Sequence, residues 1–440
     1  MNKNKKVILK NMLFDIPYSI GNYFVYIPYS WRLGKNYNIV KKEIEKYNKL
    51  SEEEKAEYLL KRLNRITKYA SNNFDFYQQL YKKHDCLNLK IKNFDDFEKI
   101  PIITKSMIRT HTNEFFGDMY QNTGGTSGEP FGFYIDKDAY AREWSHLHHM
   151  WYKIGYKHQD IKLALRAKDL GDKNIVYNPV HNEFVVNLYQ NVSTYKDEVL
   201  ELFEKRDIKF IHGCPSMIYR FFRELEDSTN QEERELIRKR KKQCIFASEF
   251  PLQYIVTYLK EIWNLEAISF YGHSEKAILA EDIELKNSYK PYMTYGYAEV
   301  NNNRLIGTSY NNKDMPLIRY DTGDIVEGTI AESGLLESFK ITKGRESDFV
   351  IDKKTKKLPI SSIVYGRHHK IFDIADYVQV KQEKEGEVIF YITVKDKELA
   401  NKNKLNTKEY FNLSNIELDY TFKLINAPIL TSRCKLRMKI

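Results

Sequence analysis

Residues 161–272 alternate short apolar runs with helical patterns, and this alternation limits the possible folds more than any other feature of the chain. Apolar runs of strand type begin at residues 161, 208, 243 and 267, and read IKLALRA, IKFIHG, QCIFAS and AISFYG. A stretch with helical periodicity precedes each of the last three runs. Because strands that alternate with helices form parallel sheets, we predict an α/β domain here. Ligands of such sheets bind at the carboxyl ends of the strands, where HGCPS, ASEF and YGHSE lie.

The rest of the chain extends this domain and adds a second one. A length of 440 residues exceeds what one simple core supports, so two or more domains are expected. The first hundred residues are predicted to be mainly helical, with a capping box at Ser51 and Glu54, and residues 139–152 form another predicted helix. Near residue 345 the pattern changes to two strands, YVQVKQ and EVIFYITV, separated by the turn EKEG. We therefore predict a large α/β domain over residues 1–344 and a small α+β domain over residues 345–440.

Charge and cysteine content exclude some classes of protein and leave others open. The net charge of +10 permits contact with phosphates, acidic glycans or a membrane surface without choosing among them. No nucleic-acid-binding motif is present, and we interpret the basic run RKRKK at 238–242 as a solvated helix end. The four cysteines form no C-x-x-C pair, so neither a zinc site nor a disulfide framework is indicated, and a reducing cytoplasm fits.

The N-terminal segment is apolar and aromatic but does not have the pattern of a membrane span. Asp15, Pro17 and Asn22 interrupt its apolar run, and no small-residue cleavage site follows. No uninterrupted stretch of the chain is long enough to cross a bilayer. We therefore expect a cytoplasmic protein whose first helix packs on the core. Contact with the inner face of a membrane stays open, because the segment is also basic.

The stretch NTGGTSGEP at residues 122–130 is the first candidate for a binding site. Gly124, Gly125 and Gly128 can take backbone angles that let N–H groups converge on an anion, and Thr123, Thr126 and Ser127 supply hydroxyl donors; these six form the candidate phosphate loop. No Gly-Lys-Ser/Thr follows, and the glycine spacing is not that of a dinucleotide site. Taken alone, the stretch fits a hairpin turn as well as a phosphate cradle.

Four further segments occur in an order that narrows the choice. FYGHSE ends at Glu275, LIRYDTGD ends at Asp324, KGRESD contains Arg345, and TSRCKLRMKI at the end of the sequence contains Lys435. Together with the glycine loop, they resemble the adenylate-forming (acyl- and aryl-CoA ligase) superfamily. With YASNNFDFYQQLY and KIPIITK, the chain looks most like the phenylacetate–CoA ligase group, and within it like members associated with bacterial capsular polysaccharide genes. The resemblance implies a large multi-layer N-terminal α/β domain and a small mobile C-terminal domain.

The resemblance also implies a role for individual residues. The nucleotide-binding residues that it implies are Thr123, Gly124, Gly125, Thr126, Ser127, Gly128, Ser248, Glu249, Tyr271, Gly272, Asp324 and Arg345. Glu275 would bind Mg²⁺, Ser274 the α-phosphate, and Lys435 would bridge the substrate carboxylate and the phosphate. Ser347 and Asp348 would form the hinge between the domains. His212 and His273 border the predicted cleft and are candidates for contact with the acyl substrate.

Simpler interpretations stand beside several of these roles. Tyr271 fits an ordinary core aromatic, Asp324 a turn cap after Gly323, and Lys435 a solvated tail. The histidines of HLHHM, at positions 146, 148 and 149, invite a metal site. We favour packing in an aromatic helix instead, because adjacent histidines do not share a helix face.

The activity implied by the resemblance is the ATP-dependent activation of a carboxylic or amino acid as an acyl-adenylate. ATP and Mg²⁺ are the expected cofactors. The acyl group would pass to an acceptor, for which we favour an amine of a surface glycan, with CoA as the alternative. A non-catalytic nucleotide-binding scaffold is a further alternative, because Glu129 stands where the family often has lysine. No structural zinc is expected, since residues 276–300 contain no Cys or His.

Overall fold

The structure, a computed structural model, is described here for the following residues: 13–117, 119–122, 132–166, 168, 170–343, 349–364, 375–394, 413, 416–430 and 438–440. Contacts divide the chain into two compact units, which are Met1–Thr322 with Val326–Lys340, and Gly323–Ile325 with Ile341–Ile440. The larger N-terminal unit is mixed α/β, and the smaller C-terminal unit is rich in strands. The domain boundary at residue 344 stays a prediction, because it lies outside the described residues.

Helices dominate the first third of the described chain, alternate with strands as far as residue 272, and are rare after that. The α-helices are Tyr18–Gly21, Tyr29–Leu33, Asn36–Tyr47, Glu52–Asn73, Asp75–Lys83, Phe94–Glu98, Lys105–Arg109, Ala139–Tyr152, Lys196–Lys205, Pro215–Ser228, Gln231–Arg238, Gln253–Trp263 and Ile360–Val364. Short 3₁₀ turns span Asn22–Tyr26, Thr112–Glu114 and Val192–Thr194. In this part of the chain, no helix combines the length and apolar character needed to cross a bilayer.

Nineteen strands can be assigned in the described residues. They are β1 Met119–Asn122, β2 Gly132–Ile135, β3 Ile161–Leu165, β4 Ile175–Asn178, β5 Glu183–Val186, β6 Ile208–Gly213, β7 Lys242–Phe246, β8 Leu265–Gly272, β9 Leu279–Asp282, β10 Lys290–Pro291, β11 Gly296–Asn301, β12 Arg304–Ser309, β13 Tyr320–Ile330, β14 Leu336–Lys343, β15 Phe349–Ile351, β16 Lys357–Pro359, β17 Ala375–Lys384, β18 Glu387–Val394 and β19 Asp419–Ile425.

The helix Glu52–Asn73 shows how local sequence sets the helical N-terminal region. Ser51 and Glu54 form both hydrogen bonds of the predicted capping box, so the helix begins where the sequence indicated. Leu59, Leu63 and Ile66 recur at helical spacing, and all three are buried. Burial of one apolar stripe contributes most of the stability of such a helix.

The central sheet has eight strands in the order β10-β9-β8-β7-β6-β3-β5-β4. Strands β5, β3, β6, β7 and β8 are parallel, and for β3, β6, β7 and β8 the alternation of strands and helices predicted this. The outer strands β4, β9 and β10 are antiparallel, which corrects the expectation of a purely parallel sheet. Short connections join each of them to a neighbouring strand, and such connections produce antiparallel pairs without a crossover helix.

Gly213 at the end of β6 allows β3 and β6 to meet closely. A Cβ atom at this position would lie 2.2 Å from the Leu165 carbonyl oxygen, so no larger residue fits. The helix Pro215–Ser228 begins directly afterwards, with proline at its first position. This sharp strand-to-helix transition places the segment HGCPS at the carboxyl edge of the sheet, as predicted.

Four further groups of strands in the described residues lie outside the central sheet, and two of them are the pairs β1-β2 and β15-β16. A four-stranded sheet has the order β11-β12-β13-β14, and the sequence did not indicate it. In the smaller unit, β17 and β18 form the predicted hairpin, and β19 joins β18 in parallel. The core of that unit includes Val350, Ile363 and Phe390, all of which are buried.

The three histidines of the helix Ala139–Tyr152 contact protein groups, as the packing interpretation predicted. His146 Nε2 lies 2.9 Å from the Thr294 hydroxyl, and His148 Nδ1 lies 2.8 Å from the Tyr37 hydroxyl. His149 Nδ1 lies 3.3 Å from the hydroxyl of Tyr292. Burial lowers the pKa of His146 to about 3, so its ring is neutral at pH 7.

Candidate active site

A tight turn after β8 presents Glu275 at the carboxyl edge of the central sheet. The Lys276 N–H donates to the His273 carbonyl oxygen at 3.0 Å, and Lys276 has a left-handed φ of 58°. The Glu275 side chain is buried, with 6% of its surface exposed. Its Oε1 accepts a hydrogen bond from the Tyr320 hydroxyl at 3.2 Å, and its Oε2 lies 3.1 Å from His273 Nδ1. One donor from the turn after β8 and one from β13 of the four-stranded sheet therefore hold the two carboxylate oxygens.

The contacts of His273 determine which of its ring nitrogens carries the proton. The Ile278 N–H donates to His273 Nε2 at 3.2 Å, so this nitrogen is an acceptor. The proton of the ring is then on Nδ1, from which it is donated to Glu275. Both ring nitrogens of His273 contact protein groups, one of which is Glu275. The contact of His273 with the acyl substrate stays a prediction.

The environment of Glu275 keeps its carboxyl group ionised. Burial by itself would raise the pKa of Glu275, but the hydrogen bond from His273 and the charge of Lys105 lower it to about 2. A hydrogen bond to the charged form and a nearby cation both favour the carboxylate over the neutral acid. Glu275 is therefore an anion at neutral pH, which is the state needed to neutralise a cation.

Lys105 acts on Glu275 because its segment runs beside the start of β13. The Ile103 N–H donates to the Arg319 carbonyl oxygen at 3.0 Å, and the Asp321 N–H donates to the Ile103 carbonyl oxygen at 2.9 Å. Lys105 follows Ile103 by two residues and begins the helix Lys105–Arg109. The predicted extended segment KIPIITK thus pairs with LIRYDTGD and brings a cation into range of the carboxylate.

The buried Arg319 side chain stabilises this pairing of KIPIITK with LIRYDTGD. It is 3% exposed, and its guanidinium donates to the carbonyl oxygens of Glu98 and Ile100. Its Nε also lies 2.6 Å from Glu299 Oε1 in a buried ion pair. Arg319 therefore ties the segment that carries Lys105 to the sheet that carries Tyr320.

Replacing Arg319 by Met should destabilise the protein by about 3 kcal/mol, because Glu299 and two carbonyl groups would lose their buried partner. Chemical denaturation of wild type and variant measures the difference. Arg304→Gln is the matched control, since the Arg304 side chain is 35% exposed and its ion pair with Asp321 is worth less than about 1 kcal/mol. Equal losses in the two variants would contradict this role of Arg319.

The predicted residues Ser248 and Glu249 follow the end of β7. Ser248 is exposed and takes a left-handed φ of 66°, which is uncommon for a residue other than glycine and is found often at functional sites. Glu249 Oε2 accepts a hydrogen bond from the Ser216 N–H at 3.1 Å, in the first turn of the helix Pro215–Ser228. A carboxylate there is stabilised by the helix dipole. Glu249 therefore joins two strand ends, and its contact with a base stays a prediction.

Tyr271 and Gly272 close β8 on the same edge of the sheet. The Tyr271 ring is half-buried and meets Phe339 edge to face, with the ring centroids 5.3 Å apart. A core aromatic and a ring available for stacking are both compatible with half burial, so the role at adenine stays a prediction. Ser274 is exposed in the turn beside Glu275, as a residue that contacts phosphate has to be.

Two other predicted residues lie elsewhere. His212, one residue before the end of β6, packs edge-on against Trp151 with 5.2 Å between ring centroids. Burial lowers the pKa of His212 to about 4, so the ring is neutral at pH 7. Asp324 lies in β13 and is 9% exposed. The contact of His212 with an acyl group and of Asp324 with a ribose stay predictions.

Several predicted residues lie outside the described part of the chain. They are the phosphate loop Thr123, Gly124, Gly125, Thr126, Ser127 and Gly128, the nucleotide-binding candidate Arg345, the hinge residues Ser347 and Asp348, and Lys435. Sequence reasoning assigned no role to Tyr320 or Lys105, although both lie in segments that carried the resemblance. Tyrosine and lysine are abundant in this chain, so residue type gave no signal, and only their convergence on Glu275 distinguishes them.

Comparison with known proteins gives a match by fold alone. No family model and no curated protein matches this sequence. A 2-hydroxyisobutyryl-CoA ligase in the postadenylation state, in complex with 2-HIB-AMP, matches with TM-score 0.64 and 13% identity, over 88% of this chain and 89% of that one. An acyl acid amido synthetase matches with TM-score 0.50 and 12% identity, over 84% and 86%. This chain therefore has the fold of the adenylate-forming ligases.

Proposed function

We propose that this protein is an AMP-forming ligase that activates a carboxylic acid with ATP and transfers the acyl group to an acceptor. In the first step a carboxylate oxygen attacks the α-phosphorus, which gives an acyl-adenylate and releases pyrophosphate. The single observation that carries the proposal is the buried, ionised Glu275 at the carboxyl edge of the sheet. Such a site works mainly by positioning charges and neutralising them away from water.

Glu275 suits the role of a magnesium ligand. An ionised carboxylate has about four lone-pair sites, and hydrogen bonds from His273 and Tyr320 use two of them. Mg²⁺ commonly keeps several waters and is held by one or two carboxylates together with substrate phosphates. When bound, the metal would offset the charge of the polyphosphate. The roles that the resemblance assigns to the phosphate loop, Ser274, Asp324, Arg345 and Lys435 belong to the same proposal.

The acceptor that we propose is an amine of a surface glycan or its precursor, which would make an amide. The resemblance to members associated with capsular polysaccharide genes favours this acceptor, and a net charge of +10 suits an acidic glycan. CoA is the second candidate. The same 2-hydroxyisobutyryl-CoA ligase in complex with 2-HIB-AMP and CoA matches this chain with TM-score 0.52 and 13% identity, over 89% and 90%.

ATP–pyrophosphate exchange over a panel of carboxylic and amino acids tests the proposal. We expect one class of acid to support exchange, which would establish the activity and name the acyl substrate. A second reaction with that acid then offers CoA and an amino-sugar acceptor together, and mass spectrometry identifies the product. A dominant acyl-CoA product would contradict the proposed amine acceptor. If no acid of the panel supports exchange, the proposal of an AMP-forming ligase is wrong.

A further inference from the structure

Four large apolar side chains near the start of the described chain are exposed. Ile20, Tyr23, Tyr26 and Trp31, here called the aromatic ridge, are exposed to 61%, 67%, 77% and 82%. They fall within three consecutive short helical turns, Tyr18–Gly21, Asn22–Tyr26 and Tyr29–Leu33. Single exposed apolar residues are normal, but several together on one segment mark an interaction surface.

Backbone geometry places three of these side chains in one row. Gly21 and Asn22 both have helical dihedral angles, so the α-turn continues into the 3₁₀ turn without a break. In a 3₁₀ helix, residues three apart lie directly above one another. Ile20, Tyr23 and Tyr26 are spaced by three, so they project from the same side of the segment.

The opposite side of the segment is attached to the larger unit. Gly21 lies so close to Tyr177 that an added Cβ would be 2.8 Å from Tyr177 Cε1. The ring of Tyr18 packs against Tyr177 and Phe184, with centroids 4.9 Å and 5.4 Å away. These contacts fix the orientation of the segment, so that Ile20, Tyr23 and Tyr26 stay exposed on its other side.

The sequence on both sides of this segment is rich in lysine and arginine. Residues 1–49 contain ten Lys or Arg and three Asp or Glu, so most of the net charge of +10 is concentrated there. Lys35 and, on the helix Asn36–Tyr47, Lys41, Lys42 and Lys46 are exposed. Tyr and Trp concentrate at the interface between lipid headgroups and acyl chains, and lysines near an anionic bilayer each add attraction.

We propose that the aromatic ridge and its lysines bind the protein to the surface of an anionic lipid bilayer. The rings and Ile20 would enter the headgroup region while the lysines contact anionic headgroups, as in other surface-bound amphipathic segments. This combination of chemistry favours a membrane over a second copy of the chain, since two copies would bring like charges together. The inference does not depend on the ligase activity.

Vesicle co-sedimentation of the full chain tests this binding. We expect binding to phosphatidylcholine vesicles that contain phosphatidylglycerol, weak binding to pure phosphatidylcholine vesicles, and release by high salt. The variant Tyr23→Ser, Tyr26→Ser, Trp31→Ser should bind the anionic vesicles about tenfold more weakly, because apolar area that enters the headgroup region is lost. Lys41→Glu, Lys42→Glu, Lys46→Glu should weaken binding comparably.

The triple variant Phe116→Ser, Ile330→Ser, Ile429→Ser controls for the loss of exposed apolar side chains in general. These three residues lie elsewhere on the chain and are 75%, 54% and 44% exposed. This control should bind like wild type, and all variants should keep the wild-type thermal midpoint. Undiminished binding of the ridge variant, or no binding of wild type to anionic vesicles, would overturn the proposal. A ridge variant that changes only the oligomeric state in gel filtration would assign the ridge to self-association instead, and would also overturn it.

Discussion

Glu275→Gln should lower the rate of acyl-adenylate formation by roughly 10²–10³-fold while leaving the protein folded. The substitution keeps the shape of the side chain and removes the charge that would neutralise the metal–nucleotide complex. Tyr320 still finds an acceptor oxygen in the amide, whereas the His273 Nδ1–H then faces the amide nitrogen, so one hydrogen bond of the site is lost. ATP–pyrophosphate exchange, with an acid that supports it in wild type, measures the loss, and circular dichroism checks the fold.

Glu281→Gln is the matched control for this experiment. Glu281 lies on β9, is 9% exposed, and accepts hydrogen bonds from Tyr292 and Lys153, so it is also a buried acid bound to a tyrosine and a cation. It is not part of the group around Glu275, and its substitution should leave exchange within about twofold of wild type. Wild-type exchange in a folded Glu275→Gln protein would rule out the metal role. Equal losses in the two variants would show a general effect of removing a buried charge.

Lys435→Ala should abolish adenylate formation yet largely spare acyl transfer from a chemically prepared acyl-adenylate. The carboxylate that attacks and the α-phosphate that it attacks are both anions, so they repel each other until a cation offsets their charge. The resemblance gives this lysine that task, in the first step alone. Measuring the two half-reactions separately, by pyrophosphate exchange and by consumption of the prepared adenylate, distinguishes this role from a structural one.

A nearby lysine provides the comparison for Lys435. Lys439 Nζ donates to the Phe349 carbonyl oxygen at 2.7 Å, so Lys439→Ala removes a structural contact from the same end of the sequence. That variant should lower stability slightly and affect both half-reactions alike. If Lys435→Ala also reduces both half-reactions equally, this lysine is structural. If it reduces neither, the chemistry does not need it.

Local patterns in the sequence predicted much of this fold, because they report the burial of each segment by itself. The capping box at Ser51 and Glu54, the helix Ala139–Tyr152 and the parallel strands β3, β6, β7 and β8 occur where the sequence placed them. Periodicity does not show which strands become neighbours when a connection is short. The antiparallel edges β4, β9 and β10 and the sheet β11–β14 therefore became visible only in the structure.

The candidate site divides in the same way. The sequence by itself identified Glu275. The segment FYGHSE lies at the end of a predicted strand, and its order among the other motifs produces the resemblance to the adenylate-forming superfamily. Only the tertiary structure decided that His273 and Tyr320 hydrogen-bond to it and that His273 and Lys105 keep it ionised. Ile103 and Tyr320 are far apart in the chain, and hydrogen bonds from the buried Arg319 side chain hold their two segments together. A contact of this kind is fixed by packing between distant segments, and no pattern within either segment records it.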